Sequence, residues 1–144
     1  MQAQLILADF AQVANGKLTV VGAGWDRTGP TPTPSGIGLI IKVPWEETNQ
    51  QHQVSLQLLD SDGGPVNDPA GKVVGLASHF EVGRPPGLAA GALQTVCLAM
   101  NIGPLPLQPG QRYEWVLTID GRSRDDWRAA FHVRSAPPAR PSAG

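Results

Sequence analysis

Two segments in the last third of the chain alternate apolar and polar residues with a period of two, and that period constrains the fold more than any other feature. Tyr113, Trp115, Leu117 and Ile119 alternate with Glu114, Val116, Thr118 and Asp120, and Trp127, Ala129, Phe131 and Val133 alternate with Arg128, Ala130, His132 and Arg134. In a strand, successive side chains point to opposite faces, so each apolar set lies on one side. Val54, Leu56 and Leu58 repeat the pattern against Gln53, Ser55 and Gln57. Val74, Leu76, Phe80 and Val82 share a face, as do Val96, Leu98, Met100 and Ile102. One-sided alternation favours antiparallel sheets packed face to face over a parallel sheet buried on both sides.

The punctuation between these runs agrees. The chain carries 17 Gly and 14 Pro, residues that weaken or break helices but suit turns. Asn15-Gly16 separates the apolar run Leu5 to Val13 from Lys17 to Val21, and this pair favours the two positive φ values of a tight hairpin. Arg27 to Gly36, with Pro30, Pro32 and Pro34, reads as a loop with little regular pairing, and Ile37 to Val43 as a third strand stopped by Pro44. Asp60 to Pro65 is a turn, and Asp120-Gly121 begins the connection of the closing hairpin. About eight strands follow, at the turn spacing of a sandwich. Leu107 to Tyr113 resembles the tyrosine corner of immunoglobulin-like and fibronectin-type domains, in which a Tyr after a turn bonds back to upstream backbone. The expectation is an all-β, antiparallel two-sheet sandwich of immunoglobulin-like type over residues 1–134, with a β-barrel as the alternative. Residues 135–144, with Pro137, Pro138 and Pro141, are expected to form a disordered tail.

At 144 residues the chain fits one domain able to bury a core without disulfides, and its single Cys97 could supply none. Cys97 lies in an apolar strand, where a buried, inert thiol is expected. The start, Met1-Gln2-Ala3-Gln4, has no positive charge, and the apolar run after it stops at Asp9. The expected location is therefore the cytoplasm, with no membrane partner. A net charge of −1 argues against nucleic acid as a partner.

Ala8-Asp9-Phe10-Ala11, Asn15-Gly16-Lys17-Leu18, Gly22 to Asp26, Val43 to Asn49 with His52, and Asp60 to Gly63 resemble an uncharacterised family of small bacterial proteins. That resemblance covers nearly the whole chain before the Pro-rich tail and implies no catalytic residue.

Candidate chemistry is sparse. His52, His79 and His132 are far apart in sequence and lack the spacing of a metal motif; His79 and His132 fall on outward positions. Asp60-Ser61-Asp62-Gly63-Gly64 begins like a calcium loop but lacks its later ligands, and a turn explains it. No nucleophile elbow or phosphate-cradling loop is present, so neither metal nor cofactor is expected. The most informative polar group is Trp25, Asp26 and Arg27 taken with Trp45, Glu46, Glu47, Asn49 and His52. Both segments follow strands, so they are expected to meet at one end of the sandwich as a recognition surface for a small ligand or a protein. The bland alternative has Trp45 plugging the end and Asn49 serving a turn. The expected function is a non-enzymatic binding or interaction module. One alternative is an enzyme with a site around Asp26, Glu46, Glu47 and His52; another is a structural subunit, such as a homo-oligomer, assembling through sheet edges.

Overall fold

A computed structural model describes residues 1–136; the expected tail lies largely outside the described residues. The described residues form ten strands: β1 (Gln2–Ala8), β2 (Phe10–Ala14), β3 (Lys17–Val21), β4 (Arg27–Thr28), β5 (Ser35–Pro44), β6 (Gln51–Leu59), β7 (Gly75–Glu81), β8 (Leu93–Ile102), β9 (Arg112–Ile119) and β10 (Arg128–Val133). A single 3₁₀ turn, Trp45–Glu47, follows β5, and no α-helix occurs among the described residues. No helix there is long and apolar enough to cross a membrane. The strands build a three-stranded sheet in the order β1-β5-β8, a five-stranded sheet in the order β4-β10-β9-β6-β7, and the hairpin β2-β3. None of these sheets closes into a barrel, which removes the alternative fold.

The alternating faces do what their period demands. Leu7, Ile37, Leu39, Ile41 and Val43 of the smaller sheet join Val54, Leu56, Leu58, Phe80, Trp115, Leu117, Ile119, Phe131 and Val133 of the larger one in a single buried cluster. All eight residues expected in the core from β6, β9 and β10 are buried, and Leu117 has no exposed surface. His79 and His132 are exposed, as their phase requires.

Two turns follow from their dipeptides. Asn15-Gly16 has φ of 52° and 71°, and Asp120-Gly121 has 52° and 77°, the double positive φ of a type I′ turn. The tyrosine corner also forms locally. Tyr113 is buried, its hydroxyl accepts the backbone N–H of Gln108 at 2.9 Å, and its ring stacks on Phe131 at 5.8 Å.

Elsewhere the chain departs from expectation. The run Leu5 to Val13 is not one strand but breaks at Asp9, so that β1 pairs with β5 while β2 pairs only with β3. The hairpin then covers the face of β5 opposite the core, and two glycines make this possible. A Cβ on Gly36 would come within 2.8 Å of the Ala11 nitrogen, and one on Gly38 within 2.8 Å of the Leu18 side chain. Asn101 of β8 fixes the overlay, accepting the Ala11 N–H at 3.0 Å and donating to the Ala11 carbonyl at 2.8 Å. Arg27 and Thr28, expected in a loop, pair in parallel with His132 and Val133. Cys97, expected to be buried, is half-buried on the outward phase of β8.

Leu117→Ala should cost about 2–5 kcal/mol, from lost transfer energy and the cavity left behind. Tyr113→Phe should cost about 1–3 kcal/mol by leaving the Gln108 N–H without its acceptor. Urea denaturation of both variants checks these values.

Candidate functional site

The residues singled out from the sequence fall into two groups at opposite ends of β5. Trp25 lines a cavity together with Ser35, the first residue of β5. Trp45 directly follows Pro44, the last. A ten-residue strand rises about 3.3 Å per residue, so roughly 30 Å separates the two ends. The expected joint surface of Trp25 and Trp45 does not exist. The sequence carries the strands that precede each loop but not the direction in which each strand delivers it.

At the first end, positive φ at Gly22 (63°) and Gly24 (87°) turns the chain out of β3. A side chain on Gly22 would collide with the Asp9 carboxylate. The Gly24 N–H donates to the Leu7 carbonyl at 2.8 Å, and the Asp26 carbonyl accepts the His132 N–H at 2.8 Å. These bonds place the half-buried Trp25 edge-on to Phe131, with ring centroids 5.5 Å apart. Asp26 and Arg27 are exposed beside it. The cavity here is about 260 Å³. Trp25, Trp115, Phe131, Val133, Leu105 and Leu107 supply its apolar walls, and the segment Gly29 to Pro34 straps over it. The Trp25 indole nitrogen is buried and has no hydrogen-bond partner among the described residues. Leu105, Leu107 and Trp115 were absent from the sequence-based site because their signal is that of core residues.

At the other end Trp45 has a structural partner that the sequence did not announce. The Arg84 guanidinium lies 3.6 Å from the centre of its ring and donates to the Trp45 carbonyl at 2.9 Å and the Thr48 hydroxyl at 2.9 Å. Asn49 takes φ of 57° in the turn, and its N–H donates to the Val82 carbonyl. Glu46 is exposed. Asn49 thus serves a turn, whereas Trp45 is half-buried beneath Arg84 and is not among the residues packed against the core.

Glu47 and His52 do come together, with Asp120 as an unforeseen third member. His52 is 3% exposed. It keeps the phase of Val54, Leu56 and Leu58, the one signal that would have revealed its inward position. Its Nδ1 meets Asp120 Oδ2 at 2.6 Å and its Nε2 meets the Glu47 carbonyl at 2.7 Å. Both partners are acceptors, so both ring nitrogens carry protons and His52 is an imidazolium. Asp120 Oδ1 also accepts the Gln53 N–H at 2.9 Å. With each nitrogen committed, His52 has none left to move a proton to a ligand. Asp26 stands at the far end, so the four residues of the enzyme alternative are not assembled. Among the described residues, no group of three or more His, Cys, Asp or Glu side chains is placed to hold a metal ion.

The chain belongs to a family of unknown function, DUF6941, which it matches over residues 3–134. No curated protein and no solved structure matches it.

The His52–Asp120 pair makes stability pH-dependent. Burial opposes the imidazolium, but the Asp120 hydrogen bond, the Glu47 carbonyl and the nearby negative charges outweigh it, so the His52 pKa is raised above 6.5. Burial likewise opposes the Asp120 carboxylate, and the bonds from His52 and Gln53 with the charges of His52 and Arg122 outweigh it, so its pKa is lowered below 3.8. The His52 contribution is complete below pH 6.5 and is lost as pH rises through the folded value. The Asp120 contribution is complete above 3.8 and is lost as pH falls. Between those limits the pair stabilises fully. The melting temperature should therefore fall as pH is raised from about 6 to about 8, and His52→Gln should flatten that dependence. Thermal melts of both proteins across this range provide the check.

Proposed function

We propose that this protein is a non-enzymatic binding module whose site is the strapped cavity beside Trp25. The observation that carries the reading is a concave cavity of mixed apolar and polar lining, with the aromatic residues Trp25, Trp115 and Phe131 among its walls. Ligand sites are typically concave and mostly apolar, with a few polar groups that fix orientation. At about 260 Å³ the space suits a compact group rather than a drug-sized molecule. The ligand is a compact molecule with an apolar part against the aromatic walls and a polar part. Asp9, Arg27, Thr28, Thr31, Thr33 and Ser35 form the polar part of the lining. The scaffold reads as an immunoglobulin-like sandwich, supported by the Tyr113 corner and by one core shared between two sheets. A cytoplasmic location fits a chain with one half-buried thiol and so no disulfide of its own.

A second reading, assembly with another copy, rests on the hairpin β2-β3. Phe10 and Val21 are cross-strand partners and are 46% and 55% exposed. An adjacent exposed apolar pair on an uncovered hairpin suits a contact surface. Sedimentation of wild type and Val21→Lys separates it from the first reading: a dimer lost in the variant supports assembly.

The binding reading is tested by screening small fragments against the protein while following the Trp25 indole N–H by NMR. Bound fragments should shift that resonance, and Trp25→Ala, which removes one aromatic wall, should weaken them at least about tenfold. Since Trp25 packs on Phe131, Trp25→Ala should lower the melting temperature as well. A library that leaves the Trp25 signal unmoved would sink the reading.

A further inference from the structure

A shallow depression on the outer face of the larger sheet gathers positive charge that the chain does not offset. β4, β10 and β9 are neighbours there, and their register sets Arg27 beside His132 and His132 beside Arg112. Residues in register share a face. Here it is the face away from the core, since Tyr113, Phe131 and Val133 on the alternate phase are buried and all three of the row are exposed. Adjacent strands lie about 4.8 Å apart, so the row spans about 10 Å. Arg134 keeps the phase of His132. Its N–H donates to the Thr28 carbonyl at 2.9 Å, and its guanidinium lies beside Gly29, where a Cβ would come within 3.4 Å of it. Arg27, Arg112, His132 and Arg134 line the depression with Asp26 and Ser135. Charges of one sign gathered on one face repel, and a chain of net charge −1 is not driven to this by composition. The nearby acids do not quench it. Glu114 is held by Arg128 at 2.8 Å and stands 3.7 Å from Arg112. Among the described residues Asp26, Arg27 and Arg134 form no ion pair at all, so three arginines face one lining acid, an excess of two positive charges.

We propose that this depression binds the dianionic phosphate group of a small molecule, held by Arg27, Arg112 and Arg134 around His132. A phosphate monoester carries about −1.5 to −2 charges at neutral pH, which matches the excess, whereas a monocarboxylate would leave half of it unmet. The guanidinium fork presents paired N–H donors that fit phosphate oxygens, and side chains as long as arginine can converge on one group from a row of this width. The basic surface also ends after one such group. The next outward cation along β10, Arg128, is tied to Glu114. A compact ligand fits that arrangement better than a nucleic acid strand, which needs a basic groove that continues along its backbone. Arg112 and Arg134 do not line the strapped cavity, so the site does not rest on the reading given for that cavity.

The test is an NMR titration of the full chain with ethyl phosphate and with inorganic phosphate at neutral pH and constant ionic strength, following the arginine Nε–H resonances. The signals of Arg27, Arg112 and Arg134 should shift saturably, and the tighter of the two probes tells whether the group is taken esterified or free. Arg112→Gln and Arg134→Gln should each weaken binding at least about fivefold, the loss of one charge-assisted contact. Both positions are exposed and relieve repulsion, so the melting temperature should hold or rise. Arg122→Gln and Arg124→Gln, exposed arginines outside the depression, should bind phosphate as wild type does. Acetate, with a single charge, should bind at least about fivefold more weakly than ethyl phosphate. The proposal is overturned if neither phosphate probe saturates, if Arg122→Gln weakens binding as much as Arg134→Gln, if acetate binds equally well, or if a short oligonucleotide shifts the same three signals at a lower concentration of phosphate groups.

Discussion

The structure depends first on burying one face of each of two sheets against the other. Ile37, Leu39, Ile41 and Val43 from β5 and Val54, Leu56, Leu58 and Leu117 from β6 and β9 are each at most 1% exposed. Full burial of such a side chain stabilises by about 1.5–3 kcal/mol. The surface pair Arg128–Glu114, at 2.8 Å, belongs to a class worth about 0–1 kcal/mol. The apolar faces therefore choose the fold, and the polar contacts decide how its ends are finished. β5 carries the greater part of this load because it is buried on both sides, by the larger sheet on one face and the β2-β3 hairpin on the other. Its sequence reflects that, with large residues inward and Gly36 and Gly38 where the hairpin crosses.

The same economy governs the Asp120 end. Asp120 takes the first positive-φ position of a type I′ turn, which Asp tolerates better than most residues. In that position its two carboxylate oxygens clamp the His52 ring and the Gln53 N–H. A residue required by the turn thus also holds a buried imidazolium. Truncating Asp120 would leave the buried His52 imidazolium uncompensated, whereas the Asp120 carboxylate is partly open to water. Through the Glu47 carbonyl the clamp extends to the 3₁₀ turn, so the turn after β9 and the turn after β5 are locked together.

What was legible in the sequence was local. The phase of β6, β9 and β10, the Asn15-Gly16 hairpin and the Tyr113 corner all rest on contacts within a few residues or on a strict period of two, and these were read correctly. What was not legible was long-range. Asp9 interrupts the apolar run, but one polar residue also fits a continuous alternating strand, so only the sheet that each half joins shows the break. The separation of Trp25 from Trp45 is of the same kind, since the sequence shows which strands precede the two loops but not the directions in which those strands run. His52 was the avoidable miss. Its phase with Val54 already placed it inside, but a polar stretch before β6 hid it. The Arg84 stack on Trp45 and the Asp120 bond to His52 join residues 39 and 68 positions apart, and no spacing rule finds such pairs.

The strapped cavity raises a physical question of its own, since walls such as Trp25, Phe131 and Leu107 tend to close on one another unless something holds them apart. The strap is fixed at both ends: Thr28 pairs with Val133 of β10, and Ser35 pairs with Ile102 of β8. Between them, Pro30, Pro32 and Pro34 lock φ and have no N–H to donate, so the segment can neither fold into a helix nor add a ladder to a neighbouring strand. The two anchors belong to different sheets, so the strap runs from one sheet to the other instead of following either edge. Collapse onto Phe131 and Leu107 would require one anchor to release its strand pairing or the prolines to leave their permitted backbone range. Filling the space with a large side chain from the strap is not open to this sequence either, because Thr31 and Thr33 are its only other residues after Gly29 and both are exposed. The cavity persists because the chain that covers it is too stiff and too short of apolar side chains to fill it, and that is the condition under which a pre-formed pocket meets a ligand without first reorganising.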